Sequence, residues 1–317
     1  PATPNAHVAI LAKSLGIPFA FVADQYKQAQ LMHWVGEDAL FIAGENEQIP
    51  DIKTLRVETQ LTDDQKDQLL ALKQAPKLNY TPFEHANQLT FQVADLTPEH
   101  LSFVGGKAAN LGFLLRSLPD HAPQEAIAFS FDLWTEFMAQ TMSSGLTLKE
   151  MIAIELNALK FPVEDPAHFS LRLRAIRSWI KDDASFSVYQ QQKITQALEH
   201  LDANRRIRFR SSTNVEDSEY FSGAGLYDSF SGCLTDDQDQ DDEGPSACDS
   251  TKKNERGVFR AIQKVFASFY NENAFIERLR RGVDEDEVGM AILAHYSFPD
   301  QMERANGVAT LKLEQRK

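Results

Sequence analysis

Apolar residues recur at every third or fourth position over long stretches of this chain, which is the period of a helix with one buried face. The clearest such stretches predict helices over residues 147–160, 167–181, 187–201 and 255–281, the last with a break near Asn271. Shorter helices are predicted over residues 6–15, 62–73, 108–118 and 132–141. Thr62 followed by Gln65 is typical of a helix start, because each side chain can accept a hydrogen bond from the other residue's backbone N–H.

Runs rich in β-branched residues, or alternating between apolar and polar, predict strands between these helices. They cover residues 17–22, 38–43, 52–58, 89–93, 126–130, 207–211, 226–231, 287–296 and 307–313, and we expect the last two to pair with each other. The order of elements predicts an α+β protein with two domains. Residues 1–75 form a small α/β unit, residues 76–95 read as a linker because they hold Pro76 and Pro82 without a clear period, and residues 96–317 form the second domain.

Composition narrows the functional classes. The chain has 317 residues, 43% of them hydrophobic and 25% charged, and a formal net charge of −14. Such a surface repels nucleic acid and anionic membranes, so we expect neither as a partner. No apolar run reaches membrane-spanning length, and Lys13 interrupts what would be the core of a signal peptide. We therefore expect a cytoplasmic protein.

Two further features are a pair of cysteines and an acidic run between them. Cys233 and Cys248 are the only cysteines; they could pair, but free thiols are the expectation in the cytoplasm. Residues 236–243 are almost all acidic and predict a solvated loop. Their spacing lacks the glycine and the final glutamate of an EF-hand loop, which argues against calcium.

His7 is the first candidate for chemistry. It lies where a polar turn leads into a short helix, and a helix start attracts anions while a neutral imidazole is a nucleophile near neutral pH. A phosphoryl carrier would suit this place, although an ordinary surface or capping histidine would also fit it.

Three further segments could bind phosphate. Gly105, Gly106 and Lys107 precede a helix, where glycine lets the backbone approach an anion and lysine adds charge. Arg208 and Arg210 alternate on a strand that continues into Ser211 and Ser212, and arginine is well suited to polyphosphate. Residues 222–225 form a small-residue loop between two strands. Each segment taken alone also has a purely structural interpretation, as a helix entry, an Arg–Asp pair at a strand end, or a flexible hairpin.

Taken together, these segments resemble a known family. GGKAANLG (residues 105–112), RSSTNVED (210–217) and SGAGLY (222–227) resemble the nucleotide-binding domain of the dikinases, which include phosphoenolpyruvate synthase, pyruvate phosphate dikinase and the glucan water dikinases. TPNAHVA (residues 3–9) resembles the swivelling phosphohistidine domain of the same family. The order of the two domains is similar to that of glucan water dikinase.

The resemblance implies a partial swivelling phosphohistidine domain over residues 1–75, followed by the first lobe of an ATP-grasp domain within residues 96–317. ATP would give its β-phosphoryl group to His7, which would pass it to an acceptor such as pyruvate or a glucan. Lys107, Arg210, Ser211 and Ser212 would bind ATP, the loop with Gly223 and Gly225 would cover its phosphates, and Mg²⁺ would bridge them. The resemblance identifies no metal ligand in this chain.

Two departures from the family pattern limit the resemblance. Ala294 and His295 stand where the family usually has Val-Gln, and residues 126–131 lack the Pro-Gly often found in the matching strand. The altered strand at Ala294 and His295, together with the acidic insertion over residues 236–243, motivates an alternative: a degenerate, noncatalytic nucleotide-binding or interaction module. Because the chain opens inside a motif and ends soon after Asn306, we also expect it to be a fragment that holds half of the ATP site and is inactive alone.

Overall fold

The computed structural model describes residues 22–43, 52–73, 75–118, 125–216, 225–239 and 243–297. The chain divides into two compact units, Pro1–Ala75 and Pro76–Lys317. Along the described ranges, no helix is both long and apolar enough to cross a membrane.

The first unit contains a two-stranded antiparallel sheet and short helices. β1 (Ala39–Ala43) pairs with β2 (Ile52–Arg56), and α1 (Gln25–Met32), α2 (Val57–Gln60) and α3 (Asp63–Lys73) complete its described elements. The predicted strands over 38–43 and 52–58 and the helix over 62–73 are confirmed, with β2 ending earlier because α2 follows it. Thr62 and Gln65 cap α3 reciprocally, at 3.0 and 3.3 Å. The predicted helix 6–15, the strand 17–22 and His7 lie outside the described residues.

A five-stranded sheet forms the centre of the second unit. Its strands are β3 (Thr90–Gln92), β4 (Ala126–Phe129), β5 (Ile207–Thr213), β6 (Ser229–Gly232) and β7 (Met290–Tyr296). Their order is β3-β4-β7-β5-β6, and every neighbouring pair is antiparallel. β4 and β5 occupy both edges of β7 over residues 292–295. Residues 307–313 lie outside the described residues, so their predicted pairing with 287–296 stays a prediction.

Helices cover both faces of this sheet. They are α4 (Leu101–Ser117), α5 (Phe131–Met138), α6 (Leu148–Asn157), α7 (Pro166–Ser178), α8 (Val188–Leu198), α9 (Val258–Ser268) and α10 (Glu272–Arg280). Successive residues of a strand point to opposite faces. Leu293 therefore packs in a small core with α4, whereas Ile292 and Ala294 belong to the larger core that the other helices share. The α+β class is confirmed.

The stretch over residues 76–95, interpreted from sequence as a linker, is part of the second unit. Leu78, Leu89 and Val93 are buried, and β3 pairs with β4 as the edge of the sheet. The two prolines lie in irregular backbone, as predicted, but the buried apolar residues of this stretch belong to the cores of the second unit.

The expectation of free thiols is also corrected. Cys233 and Cys248 form a disulfide whose Cα atoms are 5.7 Å apart. The acidic run between them is only partly solvated. The Asp236 carboxylate is buried and accepts hydrogen bonds from the backbone N–H groups of Ala247 and Arg256, each at 2.8 Å, and Asp237 accepts one from Val258. The first two residues of the acidic run, Asp236 and Asp237, therefore fix the backbone at the start of α9.

Candidate functional site

The site is built around a break near the start of α4. Gly105 has φ +74° and ψ 170°, so the regular helix starts again at Gly106, with Lys107 in its first turn. Backbone N–H groups in a first helical turn have no partner within the helix and carry partial positive charge. The segment GGK thus lies at a helix start, as the sequence predicted.

Ser212 of β5 caps this helix start from a different part of the chain. Its Oγ accepts a hydrogen bond from the Ala108 N–H at 3.0 Å and donates one to the Val104 carbonyl at 2.7 Å. The side chain is fully buried. Since its hydroxyl makes both bonds within the protein, Ser212 positions the start of α4. The predicted contact of Ser212 with ATP stays a prediction.

Gly105 is required by the same packing. A Cβ atom there would lie 2.1 Å from the Ser212 carbonyl oxygen and 2.7 Å from the Ser212 Oγ. The sequence interpretation gave this glycine a role in the approach of a phosphate; the structure shows instead that it lets α4 approach β5.

Lys107 joins this helix start to the segment after β5. Its Nζ donates a hydrogen bond to the Ser211 Oγ at 3.0 Å and forms an ion pair with the Glu216 carboxylate. The Lys107 side chain is 30% exposed and that of Glu216 is 1% exposed. The buried Glu216 carboxylate thus orients the Lys107 ammonium group, and part of the lysine side chain faces solvent.

The segment that carries Glu216 is itself fixed by side-chain hydrogen bonds. The Glu216 N–H donates to the Thr213 Oγ1 at 3.0 Å. The Asn214 amide donates to the carbonyls of Thr81 and Glu287 at 2.8 and 2.9 Å and accepts from the Gly289 N–H at 3.2 Å. Glu216 therefore projects from a rigid turn.

Arg210 lies on β5, next to this group. Its side chain is exposed, and its backbone pairs with Leu293 and Ser229 on the neighbouring strands. Arg208, two residues earlier, pairs with His295. The pKa of the buried His295 is lowered, mainly by burial and further by the positive charges of Arg210 and Arg208. This end of the sheet therefore favours anions and disfavours a charged histidine.

The structure places some of the predicted residues together and leaves others undescribed. Lys107, Ser211 and Ser212 meet at the start of α4, with Arg210 beside them on β5. Gly225 follows in a turn with φ +79° and open space around its Cα. His7 and Gly223 lie outside the described residues, so their roles stay predictions.

Sequence reasoning missed Glu216 as a site residue. The available signal was the run of short polar residues from Ser211 to Asn214, with a carboxylate two residues later. A run of buried hydroxyl and amide groups needs internal partners. No group of three or more potential metal ligands occurs within the ranges that the structure describes.

Comparison with known proteins decides the family. Residues 101–309, well over half of the chain, match the family model described as "Pyruvate phosphate dikinase, AMP/ATP-binding domain". The chain belongs to this family. The match begins at the first residue of α4 and includes all of β4 to β7, so the elements that position Lys107, Arg210 and Ser211 lie within the ATP-binding domain.

A curated relative has a similar domain. The rifampicin phosphotransferase of Streptomyces sviceus is 25% identical over 203 residues, which make up 63% of this chain and 20% of that protein. The chain thus spans about a fifth of the relative's length. The two comparisons support membership of the phosphoenolpyruvate synthase and pyruvate phosphate dikinase family.

Proposed function

We propose that this chain supplies the nucleotide-binding part of an ATP-dependent, dikinase-type phosphotransferase. The observation that carries the proposal is Lys107, which is held at a helix start beside Ser211 by a buried carboxylate, within a domain of an ATP-binding family. A lysine in this position can hold ATP phosphates as a point charge while the helix start adds its own partial charge.

We assign the following roles in ATP binding to residues of this chain. Lys107 and Arg210 would bind the phosphates, and the Ser211 hydroxyl would donate to a phosphate oxygen. Glu216 would keep the Lys107 ammonium oriented and charged, and Ser212 would fix the helix start. Gly225 would give the covering loop the backbone freedom that its positive φ shows.

The finer parts of the proposal come from the resemblance. His7 would accept the β-phosphoryl group of ATP and deliver it to an acceptor, in a transfer that needs the ATP-grasp lobe and the swivelling domain to act together. Pyruvate and glucan are the acceptor classes we propose, and the name of the Streptomyces relative adds rifampicin to those worth testing. Mg²⁺ would neutralise phosphate charge when bound, with ligands outside the described residues. We keep a cytoplasmic location as part of this proposal. The Cys233–Cys248 disulfide is an observation against it, because disulfides are rare in the cytoplasm.

Nucleotide binding by the intact protein tests the central claim. We expect calorimetry to detect ATP binding that Lys107→Met weakens about 10- to 100-fold, because hydrogen bonds to charged groups contribute about 1.5–3 kcal/mol. Lys193→Met, at an exposed lysine on α8, is the matched control and should bind ATP as the wild type does. Equal ATP affinity of the Lys107→Met and wild-type chains would refute the assigned site.

Phosphoryl transfer is tested separately, in the full-length gene product. ATP labelled on its β-phosphate should leave an acid-labile label on the protein, and His7→Ala should abolish it. Retention of the label in His7→Ala would exclude His7 as the carrier even if ATP binding is normal.

A noncatalytic nucleotide-sensing module is the second candidate. The observation that favours it is His295, a buried side chain on β7 opposite Arg208, where the family usually has glutamine. Full-length protein that binds ATP but never acquires label, with or without acceptors, would favour this alternative over the dikinase.

A further inference from the structure

A small cavity of about 130 Å³ lies at the outer edge of the sheet, between the ends of β5 and β6 and the start of α9. Five of its lining side chains are cationic: Arg206, Arg208, Arg256, Arg260 and Lys264. Glu255 and Ser231 also line it. We call this the basic edge cavity. In a chain whose net charge is −14, such a local concentration of positive charge needs a physical reason.

Two of the five cations have carboxylate partners. Arg206 pairs with Asp249 at 2.8 Å and Arg260 with Asp182 at 2.6 Å. These pairs tie the cavity wall to the residue that follows the disulfide-bonded Cys248 and to the segment after α7. The Asp182 carboxylate also attracts Lys264, which opposes part of the lowering of the lysine's pKa.

Arg208, Arg256 and Lys264 have no carboxylate within ion-pair distance in the part of the chain that the structure describes. Arg208 makes a long hydrogen bond to the Ser231 hydroxyl, 3.4 Å. Lys264 lies over the Phe230 ring at 5.7 Å from its centroid. Both side chains are half-buried and that of Arg256 is exposed.

The pKa values of Arg208 and Lys264 reflect repulsion between neighbouring cations. The pKa of Arg208 is lowered by burial and then by the charges of Arg210 and Arg206. The pKa of Lys264 is lowered by burial and then by Arg260 and Arg256, with Lys181 contributing further. Burial and like charges both disfavour the cationic form, so an anion in the cavity would relieve a cost that the unliganded fold carries.

The size of the cavity limits what that anion can be. At about 30 Å³ per water molecule, its volume corresponds to about four waters, so one phosphoryl group fits inside the cavity and the rest of a larger molecule would lie outside it. Guanidinium groups bind phosphate oxygens in a bidentate manner, and the Ser231 hydroxyl can donate to another oxygen. We propose that the basic edge cavity binds a phosphate dianion, either free inorganic phosphate or the phosphoryl end of a larger molecule.

This site is separate from the one around Lys107. Arg208 lies two residues before Arg210 on β5, about 7 Å at the rise of a strand, so the two sites are neighbours. Neither Arg210 nor Lys107 lines the basic edge cavity, however, and the cavity lies on the side of β5 where the edge strand β6 is. Variants of Lys107 and of the cavity residues therefore distinguish the two proposals.

Calorimetry with inorganic phosphate on the 317-residue chain is the test, with sodium chloride at matched ionic strength as the blank. We expect saturable binding of one phosphate, weakened about tenfold or more, which is about 1.4 kcal/mol or more, by Arg208→Gln and by Lys264→Gln. Arg256→Gln, at an exposed side chain, should weaken binding without disturbing packing. Lys107→Met and the control Lys193→Gln should bind phosphate as the wild type does.

Thermal unfolding adds a readout that does not depend on binding heat. Phosphate should raise the Tm of the wild type but not that of Arg208→Gln, whose Tm without phosphate should equal or exceed the wild-type value because a repulsive charge is gone. Binding of phenyl phosphate as well as phosphate would identify the phosphoryl end of a larger molecule as an acceptable ligand, and binding of phosphate alone would identify the free ion; both outcomes support the site.

Three results would overturn the proposal. The first is no phosphate binding beyond the chloride blank. The second is phosphate affinity unchanged in Arg208→Gln, Arg256→Gln and Lys264→Gln. The third is loss of phosphate binding in Lys107→Met, which would place the anion in the proposed nucleotide site.

Discussion

Replacing Gly105 with alanine tests how α4 is seated on β5, because this glycine combines two constraints that can be separated. Its φ of +74° and ψ of 170° lie in a region that almost only glycine populates, where another residue costs at least about 1–2 kcal/mol. Its Cβ position lies 2.1 Å from the Ser212 carbonyl oxygen and 2.4 Å from the Ser212 carbonyl carbon, so backbone must shift. Overpacking of this kind costs about 1–3 kcal/mol.

We therefore expect Gly105→Ala to lower the free energy of unfolding by about 2–5 kcal/mol in total. Any shift that opens space for the methyl group also lengthens the bonds of the Ser212 hydroxyl to Ala108 and Val104, which cap the helix start that carries Lys107. ATP affinity should fall together with stability. Urea unfolding measures the first effect and calorimetry with ATP the second.

Gly145 offers the matched control. Its φ is +84°, but its Cβ position has no neighbour within 4 Å, so Gly145→Ala should cost only the backbone strain of about 1–2 kcal/mol and leave ATP binding unchanged. Equal destabilisation by the two substitutions would refute the reasoning, because the close approach to Ser212 would then contribute nothing.

Three other predictions follow from individual contacts. Lys107→Met should destabilise the fold because it leaves the Glu216 carboxylate buried without its cation, and adding Glu216→Gln should restore stability in urea unfolding but not ATP binding; no recovery in the double variant would contradict this. Asp236→Ala removes an acceptor of two backbone N–H groups and should lower stability by about 1–3 kcal/mol, whereas the exposed Asp239→Ala should have almost no effect on Tm. Burial lowers the pKa of His295, so its contribution to stability is complete above the unfolded pKa of about 6.5 and is lost as the pH falls from there towards the folded pKa. Unfolding at several pH values should show a shallower loss of stability below about 6.5 in His295→Gln than in the wild type, and identical slopes would show that the imidazole stays accessible to protons.

Much of the fold could be predicted because its signals are local. The Thr62–Gln65 pair fixes the start of α3 through bonds between residues three apart. The break near Asn271 separates α9 from α10 at the predicted position. Apolar spacing of three and four predicts a helix wherever one face is buried, and helices α6 to α8 follow that rule.

Errors arose where distant parts of the chain decide the outcome. Residues 76–95 have the composition of a linker, but antiparallel pairing with β4 and burial of Leu89 and Val93 make them an edge of the sheet. The cysteines were expected to stay reduced, and only the fold brings their Cα atoms within 5.7 Å. The position of β7 in the centre of the sheet was likewise invisible, since strand order is set by contacts between residues far apart in sequence.

The sequence by itself determined the residue types of the candidate site: a glycine pair and lysine at a helix start, and an arginine with hydroxyl residues on a strand, in an order similar to that of a known family. Only the tertiary structure decided which of them act together. Ser211 and Ser212 are adjacent in sequence, but their hydroxyl groups have different partners. The Ser211 hydroxyl accepts a hydrogen bond from Lys107, whereas the Ser212 hydroxyl caps the helix start in α4. The physical reason is that each buried polar group must find a partner, and that partner comes from an element about a hundred residues away, with separations of 104 and 108.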